Sequence, residues 1–520
     1  MNRTRASGLL VLAAAAFAGC CPPIPRAKAP DKVVEATPPP APPTPPAPPT
    51  PPPPPAPPPV PWDSAGIDWT TPPAAWPETP FTAPVPVTFK LPTGLSVVLV
   101  ENHRLPLVSL RVIAGEAGTR SDPDGKAGLA ALTADLLDEG AGTRGALELS
   151  EELERLGADL TIGSAPDLTM VTVDTMAETL DPTIALIADV LTRPRFTADD
   201  FARVKAERKA DLVLRPDQPR ALAVLAFDTI LHGSHPYGRS DAGYVGTLDK
   251  LTLDDVKGFW KAHYGASSTT IVVAGDVTRA QLEALVKKNL GGWKTKVKAM
   301  KPVKEPAPPT PIIALIHRAG APQSVVRIGR QAPAAMAGTP AERAAAEVAN
   351  MAAGGSFASR LNEKLREELG YTYGAFSGYA RAQWGGSWAV SSAIRTDVTV
   401  PAIKAALDII ADMNKNPLPA AELAKAKSLI QRSMPQDFET NGGIAGAFAA
   451  LVADGRPLTT YRDLPAQIGA VDAQAALAAA ATWKDLVIVV VGDRDVIGKD
   501  LAGLGLPIVP YDAEGHPEKP

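Results

Sequence analysis

Two stretches of this sequence occur twice, at almost the same interval. Pro106-Leu-Val-Ser-Leu-Arg111-Val112 matches Pro322-Gln-Ser-Val-Val-Arg327-Ile328, and Ile271-Val-Val-Ala-Gly275-Asp276 matches Ile488-Val-Val-Val-Gly492-Asp493. The offsets are 216 and 217 residues. One valine-rich strand ending in Gly-Asp can recur by chance; two different segments at one interval point to duplication of a folding unit. The unit mixes elements. Thr88 to Lys90 and Ser96 to Glu101 read as strands around the turn Pro92-Thr93-Gly94, and Val108 to Ala114 as a third. Lys126 to Glu139 carries Leu129, Leu132, Leu136 and Leu137 as a helical stripe, stopped by Gly140-Ala141-Gly142. Helices follow over Asp181 to Leu191 and Ala198 to Leu214, the second ended by Pro216, and Thr270 to Ala274 closes the unit as a strand. The expected fold class is α+β: two tandem homologous α/β domains, each a mixed sheet packed by helices, over residues 84–300 and 312–505. Residues 301–311, rich in lysine and proline, read as the interdomain linker, and 506–520 as a flexible tail.

The ends of the chain carry other signals. Arg3 and Arg5 precede an apolar run from Gly8 to Gly19, which Ala18-Gly19-Cys20 closes. That is the layout of a secretory signal over residues 1–20, too short to span a bilayer. The small-small-Cys ending resembles a bacterial lipobox, with Phe17 where leucine is usual. The expectation is lipidation at Cys20, a lipid anchor in a membrane, and a place in the bacterial cell envelope, as an outer-membrane lipoprotein facing the periplasm. Cys20 and Cys21 are the only cysteines, so the body has neither a disulfide framework nor a cysteine zinc site. Of the 55 prolines, 26 lie in residues 21–83. Proline lacks the N–H and fixes φ, so this stretch reads as a disordered, extended linker at about 3 Å per residue. The formal net charge of −4 gives no ground for a nucleic-acid partner.

Several local motifs agree with one family. Leu91-Pro-Thr-Gly-Leu95-Ser-Val-Val forms an opening hairpin, Gly115-Glu-Ala-Gly-Thr119-Arg-Ser-Asp-Pro leads to Gly128-Leu129-Ala130, and His235-Pro236-Tyr237-Gly238 makes a turn. Phe259-Trp-Lys-Ala-His-Tyr264 leads to Val273-Ala-Gly275-Asp276, and Ser359-Arg360-Leu361 leads to Arg366 and Tyr373. From residue 84 to about 505 the chain resembles the insulinase-like peptidases, family M16, in tandem domains that form half of a clamshell.

The resemblance implies a zinc motif, His-x-x-Glu-His, directly after Gly-Leu-Ala. Two histidines one helical turn apart hold the metal and the glutamate polarises water. The corresponding residues here are Ala131, Leu132, Thr133, Ala134 and Asp135, so Ala131, Ala134 and Asp135 mark a degenerate motif. None of the six histidines is four from another. Glu207 and Asp211, where a third ligand would fall, read as an exposed charged helix face, and no Gly-x-Ser-x-Gly elbow occurs. The expectation is no cofactor in this chain and no catalysis by it alone. Arg366 and Tyr373 keep the spacing of an arginine and tyrosine that, in the family, reach the substrate beside the scissile peptide and support the oxyanion. The resemblance therefore implies the inactive member of a split pair. Such a chain binds unfolded peptide and joins, as a heterodimer, a partner subunit that bears His-x-x-Glu-His and zinc. A stand-alone envelope lipoprotein that binds peptide or acts as a scaffold is the alternative; a peptidase with unusual ligands is a third.

Overall fold

The computed structural model describes residues 81–518. The expected signal, Cys20 and nearly all of the proline-rich stretch lie outside them. The first half builds a six-stranded sheet from β1 (Val87–Lys90), β2 (Ser96–Glu101), β3 (Leu107–Ala114), β4 (Asp159–Ser164), β5 (Thr169–Met176) and β6 (Thr269–Gly275), in the order β1-β2-β6-β3-β5-β4. The second half builds another from β7 (Ile313–His317), β8 (Gln323–Ala332), β9 (Thr372–Arg381), β10 (Gly386–Arg395), β11 (Val487–Gly492) and β12 (Ile508–Tyr511), in the order β9-β10-β8-β11-β7-β12. These are two mixed α/β domains, each a sheet packed by helices and joined by a linker.

The repeat in sequence is a repeat in register. Arg111 lies opposite Val272 in the β3–β6 pair, and Arg327 opposite Val489 in the β8–β11 pair. In each half the Gly-Asp strand runs parallel to one neighbour and antiparallel to the other. The sixth place differs. The first sheet is completed by β1, which leads antiparallel into β2, whereas the second takes β12 from the chain's C-terminal end, parallel to β7. The expectation of a flexible tail from 506 is corrected by this strand. Ile508-Val-Pro-Tyr511 is short and mostly apolar, and its proline sits on a strand with one neighbour, where a missing N–H costs no ladder bond.

The helices used below are α1 (Leu129–Asp135), α2 (Ala198–Leu214), α3 (Pro219–His232), α4 (Arg279–Leu290), α5 (Ala420–Ser433) and α6 (Asn441–Ala453). The stripe expected to run as helix from Lys126 to Glu139 is helical only from Leu129 to Asp135. Two helices cross between halves. Leu222, Phe227 and Leu231 of α3 pack in one apolar cluster with Ala314, Val325 and Val489 of the second sheet. Ile444, Ala445, Phe448 and Leu451 of α6 pack with Val98, Ile113 and Val272 of the first. Both exchanged helices meet the repeated arginine: Arg111 Nη2 donates to Gly442 O at 3.4 Å, and the Arg327 guanidinium lies 4.7 Å from the centre of the Phe227 ring. Burying a large apolar side chain contributes about 1.5–3 kcal/mol, so each exchanged face contributes several kcal/mol to holding the halves together.

The chain from Val297 into the linker is itself held. Val297 N donates to Ser267 Oγ (2.9 Å) and Met300 N to Glu116 Oε2 (3.1 Å). Val303 O lies 3.2 Å from His235 Nε2, and Pro306 O accepts from Gln331 Nε2 at 3.3 Å. Among the described residues no helix is long and apolar enough to cross a membrane.

Candidate functional site

Asp122 sets the start of α1. Its carboxylate accepts from Gly128 N and Ala130 N, each at 2.7 Å. Gly128 has φ 93°, and a Cβ there would come within 2.9 Å of Ala242 O, so glycine is required at this entry. The next turn presents Ala131, Ala134 and Asp135. The two alanines are buried methyl groups. Asp135 Oδ2 accepts from Arg208 Nε at 2.8 Å and also from Arg208 Nη2. Arg208 comes from α2, the helix on which the sequence places Glu207 and Asp211. Both acids are exposed, and Glu207 pairs with Arg203 at 3.1 Å instead of turning towards α1. A guanidinium therefore engages the one carboxylate of the degenerate motif. Around it the five residues Ala131 to Asp135 supply no imidazole and no second carboxylate.

Arg366 and Tyr373 belong to the second half. Arg366 lies where one α-helical turn, Arg360–Asn362, passes into a π-helix, Glu363–Glu368. Single π turns recur at functional positions because the extra residue re-aims side chains. Arg360 anchors the turn through Glu422 of α5 (2.7 Å from both Nε and Nη2) and Asp412 (2.6 Å). Buried Asn362 donates to Ser356 O (3.1 Å) and accepts from Ala375 N (2.9 Å), which ties the glycine-rich loop to β9. Arg366 stacks on the half-exposed ring of Phe357, 4.1 Å from its centre, with Glu367 at 3.4 Å. Tyr373 is 88% exposed, beside a register shift between Thr372 and Ala375 in β9. No hydrogen bond joins Arg366 to Tyr373. The arrangement is a surface with a cation, an aromatic face and a phenol, next to an edge strand that has one neighbour in its sheet.

A buried polar cluster at the seam between halves was not legible in the sequence. Arg120 Nη1 donates to Asp167 Oδ1 (2.5 Å) and to Gln383 Oε1 (3.0 Å), and Nη2 donates to Gly115 O (3.0 Å). The guanidinium lies 4.4 Å from the Trp384 ring centre. Asp167 also accepts from Tyr237 Oη (2.6 Å) and from Gln383 N (2.8 Å), and Tyr237 Oη accepts from Trp384 N (3.1 Å). The His235-Pro-Tyr-Gly turn thus grips the hairpin between β9 and β10. The signal lay in the arginine and tyrosine of two quoted motifs, but neither names its partner 216 residues from Asp167.

Nearby, burial raises the Asp241 carboxyl to about 6, against a hydrogen bond from Thr119 that favours the charged form. The folded chain therefore holds this proton more tightly than the unfolded chain. This group's contribution is most favourable below its unfolded value near 3.8, declines as pH rises towards 6, and is flat above. Asp241→Asn keeps an acceptor for Thr119 and removes that slope. The variant is expected to gain stability over the wild type as pH rises from about 4 to about 7, read as a widening gap in melting temperature.

His317, Asp493 and Asp495 offer one ligand atom each within 4.8 Å of one another. Residues 176 apart in sequence meet here, where β7 ends and a helix begins after β11. Two of the three are engaged by backbone: His317 Nδ1 accepts from Arg494 N (3.1 Å), and Asp493 accepts from Gly320 N (2.7 Å) and Asp495 N (3.0 Å) as a helix cap. With Nδ1 accepting a backbone N–H, the neutral ring carries its proton on Nε2 and has no free lone pair for a cation. The arrangement is a capping cluster.

Comparison with known proteins agrees with this geometry. Residues 96–222 match the family described as insulinase (peptidase family M16), and residues 250–430 match the peptidase M16 inactive domain. Together the two matches take in more than half of the chain. An uncharacterized zinc protease of Mycobacterium tuberculosis is 27% identical over 377 residues, 71% of this chain and 83% of the relative. The non-peptidase homolog YmxG of Helicobacter pylori is 25% identical over 350 residues, 66% of this chain and 78% of the relative. A solved structure of a peptidase M16 inactive domain from Pseudomonas fluorescens is 27% identical, with a TM-score of 0.74 over 78% of this chain and 98% of that one. A protease from Helicobacter pylori shares the fold at 21% identity, with a TM-score of 0.73 over 79% and 100%. By two family matches and by this fold, the chain belongs to the insulinase (M16) peptidase family.

Proposed function

We propose that this chain is a catalytically silent M16 subunit that binds extended peptide and completes the site of a zinc-bearing partner. One observation carries the reading. Where the family's metal helix faces its third ligand, Asp135 is held by Arg208 beside buried alanine methyls, while in the second half Arg366 is half-buried at the surface and Tyr373 is exposed. A guanidinium and a phenol are suitable donors to a carbonyl oxygen becoming an alkoxide. An extended peptide adds to a sheet by main-chain hydrogen bonds along an edge, and β4 and β9 are the edges next to which it would lie. The reading includes a heterodimer with a subunit bearing His-x-x-Glu-His, zinc held in that partner and not here, unfolded peptides as substrates, and attachment to the envelope through Cys20.

The test is zinc content and cleavage of a quenched peptide library by the purified full chain, alone and with a co-encoded His-x-x-Glu-His protein. The expected result is no stoichiometric zinc and no cleavage alone, with a raised rate when the two are mixed. Peptide binding with no effect on such a partner would support the stand-alone envelope binder instead. Stoichiometric zinc with cleavage by this chain alone would overturn both.

A further inference from the structure

Residues 287–304 carry seven lysines and no arginine, aspartate or glutamate. The chain's formal −4 less this +7 leaves −11 for the remainder, so the segment is a single-sign island on an acidic protein. Lys287, Lys288, Lys294, Lys296, Lys298, Lys301 and Lys304 are all exposed. Lys288 pairs with Asp181 at 2.8 Å; among the described residues the other six have no ion pair. Glu283, one turn back on α4, faces Arg279, and Glu116 accepts from the backbone of Met300.

The fold fixes this charge in place. After α4 the chain runs without helix or strand, and contacts at Val297, Met300, Val303 and Pro306 staple it at three-residue steps. Three residues is the period of an extended left-handed helix, which rises about 3 Å per residue. Lys298, Lys301 and Lys304 each follow a staple by one residue, so exposed ammonium groups recur at one interval along the strap.

We infer that this lysine strap is a docking surface for the anionic phospholipid headgroups of a membrane. The inference stands apart from the peptide-binding reading. A fixed strap of solvated ammonium groups meets a plane of phosphates without needing a groove, and each lysine near an anionic bilayer adds to the attraction. A nucleic-acid strand would ask for exposed aromatic faces on which bases stack, and the segment's single aromatic, Trp293, is buried. An acidic protein would ask for an apolar centre inside the charged rim, and the one large apolar residue exposed here is Val303.

The experiment uses the full chain carrying Cys20→Ser, so that acylation plays no part. With Arg3→Ser and Arg5→Ser added to remove the basic start of the chain, its flotation is measured with vesicles of phosphatidylcholine alone and of phosphatidylcholine with about 30% phosphatidylglycerol; the apolar N-terminal run then contributes equally to both. The expected result is at least tenfold stronger partitioning onto the anionic vesicles at low salt, falling steeply as salt is raised. Lys294→Glu, Lys298→Glu and Lys301→Glu together are expected to abolish that preference, with the melting temperature unchanged because all three side chains are exposed. Equal partitioning onto both vesicle types overturns the inference, and so does a preference that survives in the triple variant. Retention on double-stranded DNA without preference for anionic vesicles also overturns it, assigning the strap to a soluble polyanion.

Discussion

Replacing Arg120 with alanine lowers the stability of the body by about 3–5 kcal/mol, the usual result of leaving one partner of a buried ion pair alone. The argument starts from burial. Arg120 is 3% exposed, and its guanidinium serves Asp167, Gln383 and Gly115 O while lying against Trp384. Removing it strands the Asp167 carboxylate in a site whose remaining donors are the Tyr237 hydroxyl and Gln383 N. It also opens a void beneath the hairpin that carries Gln383 and Trp384 from the second half onto the first. Arg120→Lys is expected to recover little, because an ammonium cannot reproduce the fork that reaches two side chains and a carbonyl together. The measurement is the urea midpoint and the melting temperature. Because α3 and α6 also exchange between halves, the two domains are expected to unfold together, in one transition in both wild type and variant. A variant that melts in two steps would show that the exchanged helices do not couple the halves, and a loss under about 1 kcal/mol would show that water replaces the guanidinium at little cost.

The sequence made the duplication legible because strands keep their apolar residues and their register. The β6 and β11 segments read as strands from valine content alone, and the two arginines mark the same row in both sheets. The helix exchange was hidden by the same logic. Pro219–His232 and Asn441–Ala453 are apolar on the faces they bury, and periodicity does not say against which sheet a face is laid. The terminal strand was misjudged because Ile508–Tyr511 has one proline and four residues, and only the unfilled sixth place beside β7 gives it a partner. At the site, the residues that replace the zinc motif could be read directly. What holds Asp135 could not, because Arg208 lies 73 residues away and looked like part of a solvated face. The π-helix under Arg366 was also invisible, since Asn362 to Leu369 has ordinary helix composition and the departure is imposed by Asn362 and Arg360 bonding outside the helix.

Arg366→Ala is expected to cut the rate that this chain confers on a zinc-bearing partner by about 100- to 1000-fold, the range found when one oxyanion donor is removed. The residue is well placed for a selective loss. Its contacts within the chain are the Phe357 ring and Glu367, both on the surface, so the melting temperature is expected to stay within about 1 °C of wild type. Tyr373→Phe removes a hydroxyl from a side chain that is 88% exposed and carries the same expectation for stability, with a smaller loss of rate. If both residues act on the developing oxyanion, the double variant loses less than the product of the two single losses, because donors to one atom act as a unit. If they only hold peptide, each variant raises KM and leaves kcat in place. Lys364→Ala is the control. It lies on the same π-helix and pairs with Glu368 at 2.6 Å, so it reports what loss of a positive charge does there without touching the proposed donors. A fall in rate no larger for Arg366→Ala than for Lys364→Ala would mean that the retained spacing of Arg366 and Tyr373 marks the fold of the second domain and not a role in the partner's chemistry.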